Sequence, residues 1–152
     1  ALDRRRSQVY VPISDVEAGP FEGEARPGVY ALDMETGEQL WAAQHDTRCE
    51  GRENCRVGFS AAILATGDLV FTGLLDGQVA VFDAATGDLA WEYDTWRDFE
   101  AVNGLPAQGG AIDVHGPLVA GHQLIVQSGY GTFGQRGGNA LLVFEVSGED
   151  EP

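Results

Sequence analysis

Lysine is missing from this sequence of 152 residues: all nine cationic side chains are Arg, set against 24 Asp and Glu, for a formal net charge of −15. A chain so acidic is repelled by a polyphosphate backbone, which argues against nucleic-acid binding, and an anionic membrane surface suits it no better. The excess charge serves solubility, or else adaptation to salty surroundings where screening relieves self-repulsion; the response of stability to salt separates the two. Long apolar runs are missing too. None approaches the roughly 18 residues that a membrane-spanning helix requires, so no such span is expected. No basic stretch followed by an apolar one opens the chain at Ala1, so no targeting segment is visible. A processed product, or a piece of a longer chain, is the expectation.

Cysteine is limited to Cys49 and Cys55, which enclose Glu-Gly-Arg-Glu-Asn. A disulfide closing a small ring is expected; two free thiols or a metal site are the alternatives. Zinc needs two further ligands, and His45 is the only His nearby in sequence. The C-x-x-C-H haem signature is absent, as is any Ser in a G-x-S-x-G elbow, so hydrolytic triad chemistry has no support. Gly129-Tyr-Gly-Thr-Phe-Gly134 spells G-x-G-x-x-G, but no amphipathic helix follows to hold a pyrophosphate, and a glycine-rich strand connection explains it better.

Glycine, by contrast, is abundant: 21 of 152 residues, spread among short apolar runs with no helical rhythm. Many tight turns, and therefore a β protein, are implied. Self-comparison sharpens this. ALDMETGEQLW at 31–41 returns as VFDAATGDLAW at 81–91, pairing Asp33 with Asp83, Thr36 with Thr86, Gly37 with Gly87 and Trp41 with Trp91. A decayed third copy, LLVFEVSGED, sets Glu145 where Asp83 falls. This period suits propeller blades. Ala61–Leu64, Leu69–Thr72, Val79–Asp83 and Leu89–Tyr93, separated by turns, make one antiparallel blade of four strands. Gly116–Ala120, Gln123–Ser128 and Asn139–Glu145 begin the next. Gln8–Val11, Val29–Asp33 and Leu40–Gln44 are strands two to four of an earlier one. The fold expected is an all-β propeller of four-stranded antiparallel blades, about two and a half of them in this chain. As one partial propeller over 1–152, its blade fragments fall at about 8–45, 60–94 and 115–145, with an acidic tail at 147–152. Propellers close at roughly four to eight blades, so further blades or other copies of the chain must complete the ring.

Strand direction alternates in such a blade, so its connections alternate between two faces. Tight turns at Thr36-Gly37, Thr66-Gly67-Asp68, Thr86-Gly87 and Gly121-His122 share one face. Ser14–Gly28, Asp46–Phe59, Thr95–Ile112 and Gly129–Gly138 are long and share the other, where only Leu75-Asp76-Gly77 is short. Long loops on a rigid scaffold are where binding chemistry sits.

The pattern A-x-D-x-x-T-G-x-x-x-W, present as Ala31, Asp33, Thr36, Gly37 and Trp41, resembles the tryptophan-docking motif of the pyrroloquinoline quinone (PQQ) dependent quinoprotein dehydrogenases. The second copy departs at its first position, where Val81 stands for Ala. CRVGFSAA, VNGLPAQGG and SGYGTFGQRGGNALLVF resemble the C-terminal blades of the polyvinyl-alcohol-dehydrogenase-like branch, so the resemblance covers nearly the whole chain. It implies structural roles for both motif copies, Asp83, Thr86, Gly87 and Trp91 included, with each Trp packed between blades. It also implies PQQ over the propeller axis on the long-loop face, commonly with calcium. Alcohol oxidation, electron transfer to a cytochrome or other acceptor, and a periplasmic or secreted location follow from the same family. A non-catalytic, protein-binding scaffold of the same fold is the alternative.

A bound quinone would need donors for its carboxylates, a flat cover and a base near its reactive carbonyl. On the long-loop face the candidates are Arg97, Asn103, Tyr130 and Arg136, with Ser60 at the start of an inner strand. Asp113 is the candidate base or calcium ligand, and Asn103 offers a carbonyl oxygen suited to calcium. The plainer readings are a solvated Arg97 and an Asn-Gly turn at 103–104. His115 opens an inner strand and is a weaker candidate, whereas His122 falls in a tight turn on the opposite face.

Overall fold

Short β-prone runs punctuated by D-x-x-T-G turns fold into antiparallel meanders, and the computed structural model describes residues 1–15, 24–44, 46, 48–131 and 133–145. The tail at 147–152 and His45 lie outside these residues. The first blade is β1 (Leu2–Asp3), β2 (Gln8–Ile13), β3 (Gly28–Asp33) and β4 (Gln39–Ala43), paired in that order. The second is β5 (Leu64–Thr66), β6 (Leu69–Gly73), β7 (Gln78–Asp83) and β8 (Leu89–Asp94). A separate hairpin, β9 (Asp98–Glu100) with β10 (Pro106–Gln108), stands in the connection to the third blade. That blade holds β11 (Leu118–Ala120), β12 (Gln123–Ser128) and β13 (Ala140–Glu145). All pairings are antiparallel, and no helix occurs among the described residues. The chain is a partial propeller.

Three elements differ from the sequence reading. The first blade has an innermost strand, β1, too short to leave a periodic signal. The first strand of the second blade lies at 64–66 rather than 61–64, because Ala61 is drawn into the core and the Ala62 amide donates to the Val114 carbonyl at 3.1 Å. The β9–β10 hairpin stands where the sequence reading has only the long Thr95–Ile112 connection.

The repeat recurs down to single bonds. In the first blade Asp33 Oδ1 accepts the amides of Glu35 (2.9 Å) and Thr36 (2.8 Å) and the Thr36 hydroxyl (3.0 Å). In the second, Asp83 Oδ1 accepts Ala85 (2.8 Å), Thr86 (2.9 Å) and the Thr86 hydroxyl (3.3 Å). Both turns close through a glycine in the left-handed region, Gly37 at φ 74° and Gly87 at φ 79°, which a side chain resists. The bonds from the Thr amide and its neighbour hold each Asp below its usual pKa.

Period-two alternation feeds two interblade cores. Ala80 and Phe82 of β7 join Tyr10, Val29, Ala31 and Trp41 of the first blade. Val79 of the same strand joins Ile112, Leu124 and Val126 on the side of the third. Trp41 is 8% exposed, stacks on Tyr10 with 5.6 Å between ring centroids, and donates its indole N–H to the Ala84 carbonyl at 3.1 Å. A Cβ on Gly87 would stand 2.7 Å from the Trp41 ring, so the turn glycine of one blade receives the tryptophan of the preceding one. Trp91, at the equivalent position, is 38% exposed and meets Phe144 edge-on at 5.2 Å. It borders a cleft of about 710 Å³ lined also by Phe71, Val81 and Tyr93. The positions matching Ala84 and Gly87 fall after Glu145, outside the described residues, so the dock that buries Trp41 has no described counterpart for Trp91.

Candidate functional site

Asp113 lies on the connection from β10 to β11 and is 1% exposed. Its Oδ1 accepts the Ser60 hydroxyl at 2.6 Å and the Val114 amide at 2.8 Å; its buried Oδ2 has no hydrogen-bond partner among the described residues. A buried carboxylate oxygen left unpaired is costly, and a native structure tolerates it chiefly where something else is to be bound or moved. Backbone strain coincides with it. Val114 sits at φ 59°, a left-handed conformation that a β-branched residue strongly resists. Ser60 is brought there by the run after Phe59, whose burial anchors the start of the second blade.

Tyr130 stands beside this pair. Its amide and that of Gly129 both donate to the Ala111 carbonyl, at 3.0 and 2.9 Å, and its ring meets His115 edge-on at 5.3 Å. The His115 amide in turn donates to the Asp113 carbonyl at 2.6 Å. Ser60, Asp113, His115 and Tyr130 are therefore linked through direct contacts, with His115 and Tyr130 exposed at the rim.

The other candidates engage different partners. Arg97 lies over the Tyr93 and Phe99 rings at 4.7 and 5.1 Å. Asn103 Oδ1 accepts the Leu105 amide at 3.1 Å, so that oxygen closes the tip of the β9–β10 hairpin at Gly104. Arg136 lies over Trp96 at 5.1 Å and 3.6 Å from the Asp98 carboxylate.

Several contributors were missed from sequence. Asp76, in the one short turn of the long-loop face, is buried and fully engaged: it accepts the Gln78 amide (3.1 Å), the Gln78 side chain (2.8 Å) and the Arg48 amide (3.0 Å). Thr95 and Ser128 form a buried hydroxyl pair at 2.6 Å that also reaches Gly77 and Gly110. The glycine-rich strings prove to be packing devices: a side chain on Gly109 or Gly138 would collide with the carbonyls of Thr95 and Gln108. Only Asp76, a lone Asp-Gly turn, carried a local signal. Cys49 and Cys55 form a disulfide, and the described residues hold no free cysteine.

For a calcium ion the described residues do not fit. Asp113 offers one uncommitted carboxylate oxygen, Asn103 is held within its own turn, and no group of three His, Cys, Asp or Glu is placed to bind a metal. For a quinone, the exposed Ser60 and Tyr130 beside Asp113 are polar groups of a suitable type. No helix among the described residues is long and apolar enough to cross a membrane.

Antiparallel blades with a tryptophan docked on the next blade's turn define the class of PQQ-like propeller repeats. A family model described as outer membrane protein assembly factor BamB matches residues 25–148, and this chain belongs to that quinoprotein-like propeller family. Among curated proteins, the polyvinylalcohol dehydrogenase of Sphingopyxis sp. (strain 113P3) is 36% identical over 155 residues, covering 93% of this chain and 24% of the relative. The quinohemoprotein alcohol dehydrogenase ADH-IIG of Pseudomonas putida is 30% identical over 121 residues, covering 78% and 15%. The chain thus spans about a quarter of the polyvinylalcohol dehydrogenase's length. Two solved structures share the fold. The quinohemoprotein alcohol dehydrogenase of Comamonas testosteroni has a TM-score of 0.56 at 22% identity, over 82% of this chain and 16% of that one. BamB of Moraxella catarrhalis has a TM-score of 0.53 at 21% identity, over 80% and 33%.

Proposed function

We propose that this chain is a segment of a quinoprotein alcohol dehydrogenase, in which it forms part of the wall around a PQQ site on the long-loop face. The observation that carries the reading is the 36% identity to a polyvinylalcohol dehydrogenase along 93% of the chain. The buried Asp113 oxygen that has no partner among the described residues supports the reading. Asp113 Oδ2 is available to take a proton from an alcohol hydroxyl, and Ser60, bonded to the other oxygen, fixes the carboxylate's orientation. Tyr130 and His115 form the exposed rim against which the alcohol or the quinone lies. PQQ, when bound, supplies the two-electron acceptor, and a cytochrome or another external acceptor receives the electrons afterwards. The remaining blades, from the same protein or from other copies, complete the ring in a periplasmic or secreted setting. Calcium, where the full protein uses it, is held mostly by residues of other blades.

A second reading has its own support: the matched family model and one of the fold neighbours are BamB assembly factors. Under it the long-loop face binds protein and Asp113 serves the fold alone. Titrating PQQ into the full-length protein that carries this segment, followed by quinone absorbance, decides between them. Saturable binding weakened by Tyr130→Ala supports the dehydrogenase; no binding leaves the scaffold.

A further inference from the structure

We infer that the Cys49–Cys55 ring is a redox-sensitive latch that holds the wall around Asp113. This rests on geometry alone and stands whether or not a quinone binds. The ring interrupts the long connection between β4 and β5, yet its residues reach three distant segments. Arg52 donates to the Asp76 carbonyl at 3.1 Å, pairs with the Asp94 carboxylate, and lies over the Trp96 ring at 5.4 Å. The Asn54 carbonyl accepts the Arg136 amide at 3.2 Å, and the Arg136 guanidinium also lies over Trp96. Trp96 is thus in contact with two guanidiniums, one from the ring and one from the segment the ring holds.

From Arg136 the connection continues inward. Its carbonyl accepts the Ala111 amide at 3.0 Å, and the Ala111 carbonyl accepts both Gly129 and Tyr130. Asp113 follows two residues later. The closed ring sets where Arg52 and Asn54 stand: the Arg52 amide bonds back to the Cys49 carbonyl at 3.0 Å, and Asn54 takes a left-handed φ of 59°. Glu50, Gly51, Glu53 and Asn54 are exposed and both cysteines are half-buried, so a small dithiol can reach the bond. One thiolate of the dithiol attacks a ring sulfur and expels the other cysteine as a thiolate; the second thiolate then attacks the reagent's sulfur in the mixed disulfide and expels the remaining cysteine. The S–S bond becomes two thiols by gaining two electrons and two protons, and the reductant leaves as its own disulfide. Opening the ring frees Asn54 from Arg136 and Arg52 from Trp96, and the 111–136 contact loosens.

The test is amide hydrogen exchange on the full-length protein that carries this segment, before and after dithiothreitol, with thiol labelling to confirm that Cys49 and Cys55 are released. The expected result is roughly tenfold faster exchange at Arg136 and Ala111, with Tyr10 and Ala31 in the first blade unchanged. Unaltered exchange at Arg136 with both thiols free overturns the proposal. So does a parallel rise at all four amides, which would make the disulfide a global staple only. Arg52→Ala with the ring closed probes the same contacts without thiol chemistry. It should weaken the near-ultraviolet circular dichroism of Trp96, identified by difference from Trp96→Phe, while Arg52→Lys recovers part of it. No change at Trp96 in Arg52→Ala contradicts the latch as well.

Discussion

Gly37 and Gly87 occupy the same position of the repeat, with φ values of 74° and 79°, but only one of them is pressed against a tryptophan. Alanine at either position pays for the left-handed backbone, roughly 1–2 kcal/mol. At Gly37 no described atom lies within 4 Å of the added methyl, so the backbone cost is the expected effect. At Gly87 the methyl would stand 2.7 Å from the Trp41 ring, which is 8% exposed, stacked on Tyr10 and bonded to the Ala84 carbonyl. Accommodating it means displacing a packed indole, an overpacking cost of about 1–3 kcal/mol on top of the backbone cost. Gly87→Ala should therefore lose about 2–5 kcal/mol and Gly37→Ala about 1–2 kcal/mol. Urea unfolding of both variants, analysed at a common m-value, measures the difference. Equal losses within about 0.5 kcal/mol would refute the docking of Trp41 on Gly87.

Trp41→Ala should cost about 3–5 kcal/mol, as for a large buried aromatic, and Trp91→Ala, 38% exposed, about half as much; a reversed order in denaturant unfolding would contradict the burial described. Asp33 and Asp83 are held below their usual pKa by the turn amides, so the stability they add is full above the ordinary carboxylate range and fades as pH falls through the lowered values. Asp33→Asn with Asp83→Asn should flatten that acid loss, read as the melting temperature between neutral pH and about pH 3; an unchanged acid limb argues against it. Ser60→Ala removes one of two bonds to Asp113 Oδ1 and should cost about 1–2 kcal/mol, while a neutral result would show that the pair is not formed in solution.

The blades were legible because two signals coincide in them: alternating apolar residues, and a D-x-x-T-G turn whose Asp, Thr and Gly each meet a local backbone demand. Such demands act within five residues and show up in any self-comparison. The β9–β10 hairpin was not legible, since Asp98–Glu100 and Pro106–Gln108 are three residues long, too short for their alternation to stand out. What holds its base is remote: Gln108 and Asn139 exchange two hydrogen bonds of 2.8 Å across 31 residues. The site shows the same division. Asp113 and Tyr130 are candidates from sequence because they lie on the long-loop face, but the Ser60 bond and the Asp113 oxygen without a described partner exist only once the second and third blades pack. Arg52 and Trp96 belong to no motif, and the Asp-Gly turn at Asp76 marks a turn without revealing its partners. Their importance comes from meeting residues that are dozens of positions away. Arg97 and Asn103 fit a site by type and position, and the fold gives them nearer partners in aromatic rings and a turn amide.

The most direct measurement is alcohol-dependent dye reduction by the full-length protein that carries this segment, loaded with PQQ and calcium and given primary, secondary and polymeric alcohols. The account predicts reduction with at least one of these classes, and a kcat that falls by about 100-fold or more in Asp113→Ala, within the range for removing a general base, while PQQ stays bound. Quinone retained with no reduction of dye by any alcohol would contradict the dehydrogenase reading, and full activity in Asp113→Ala would remove Asp113 from the chemistry.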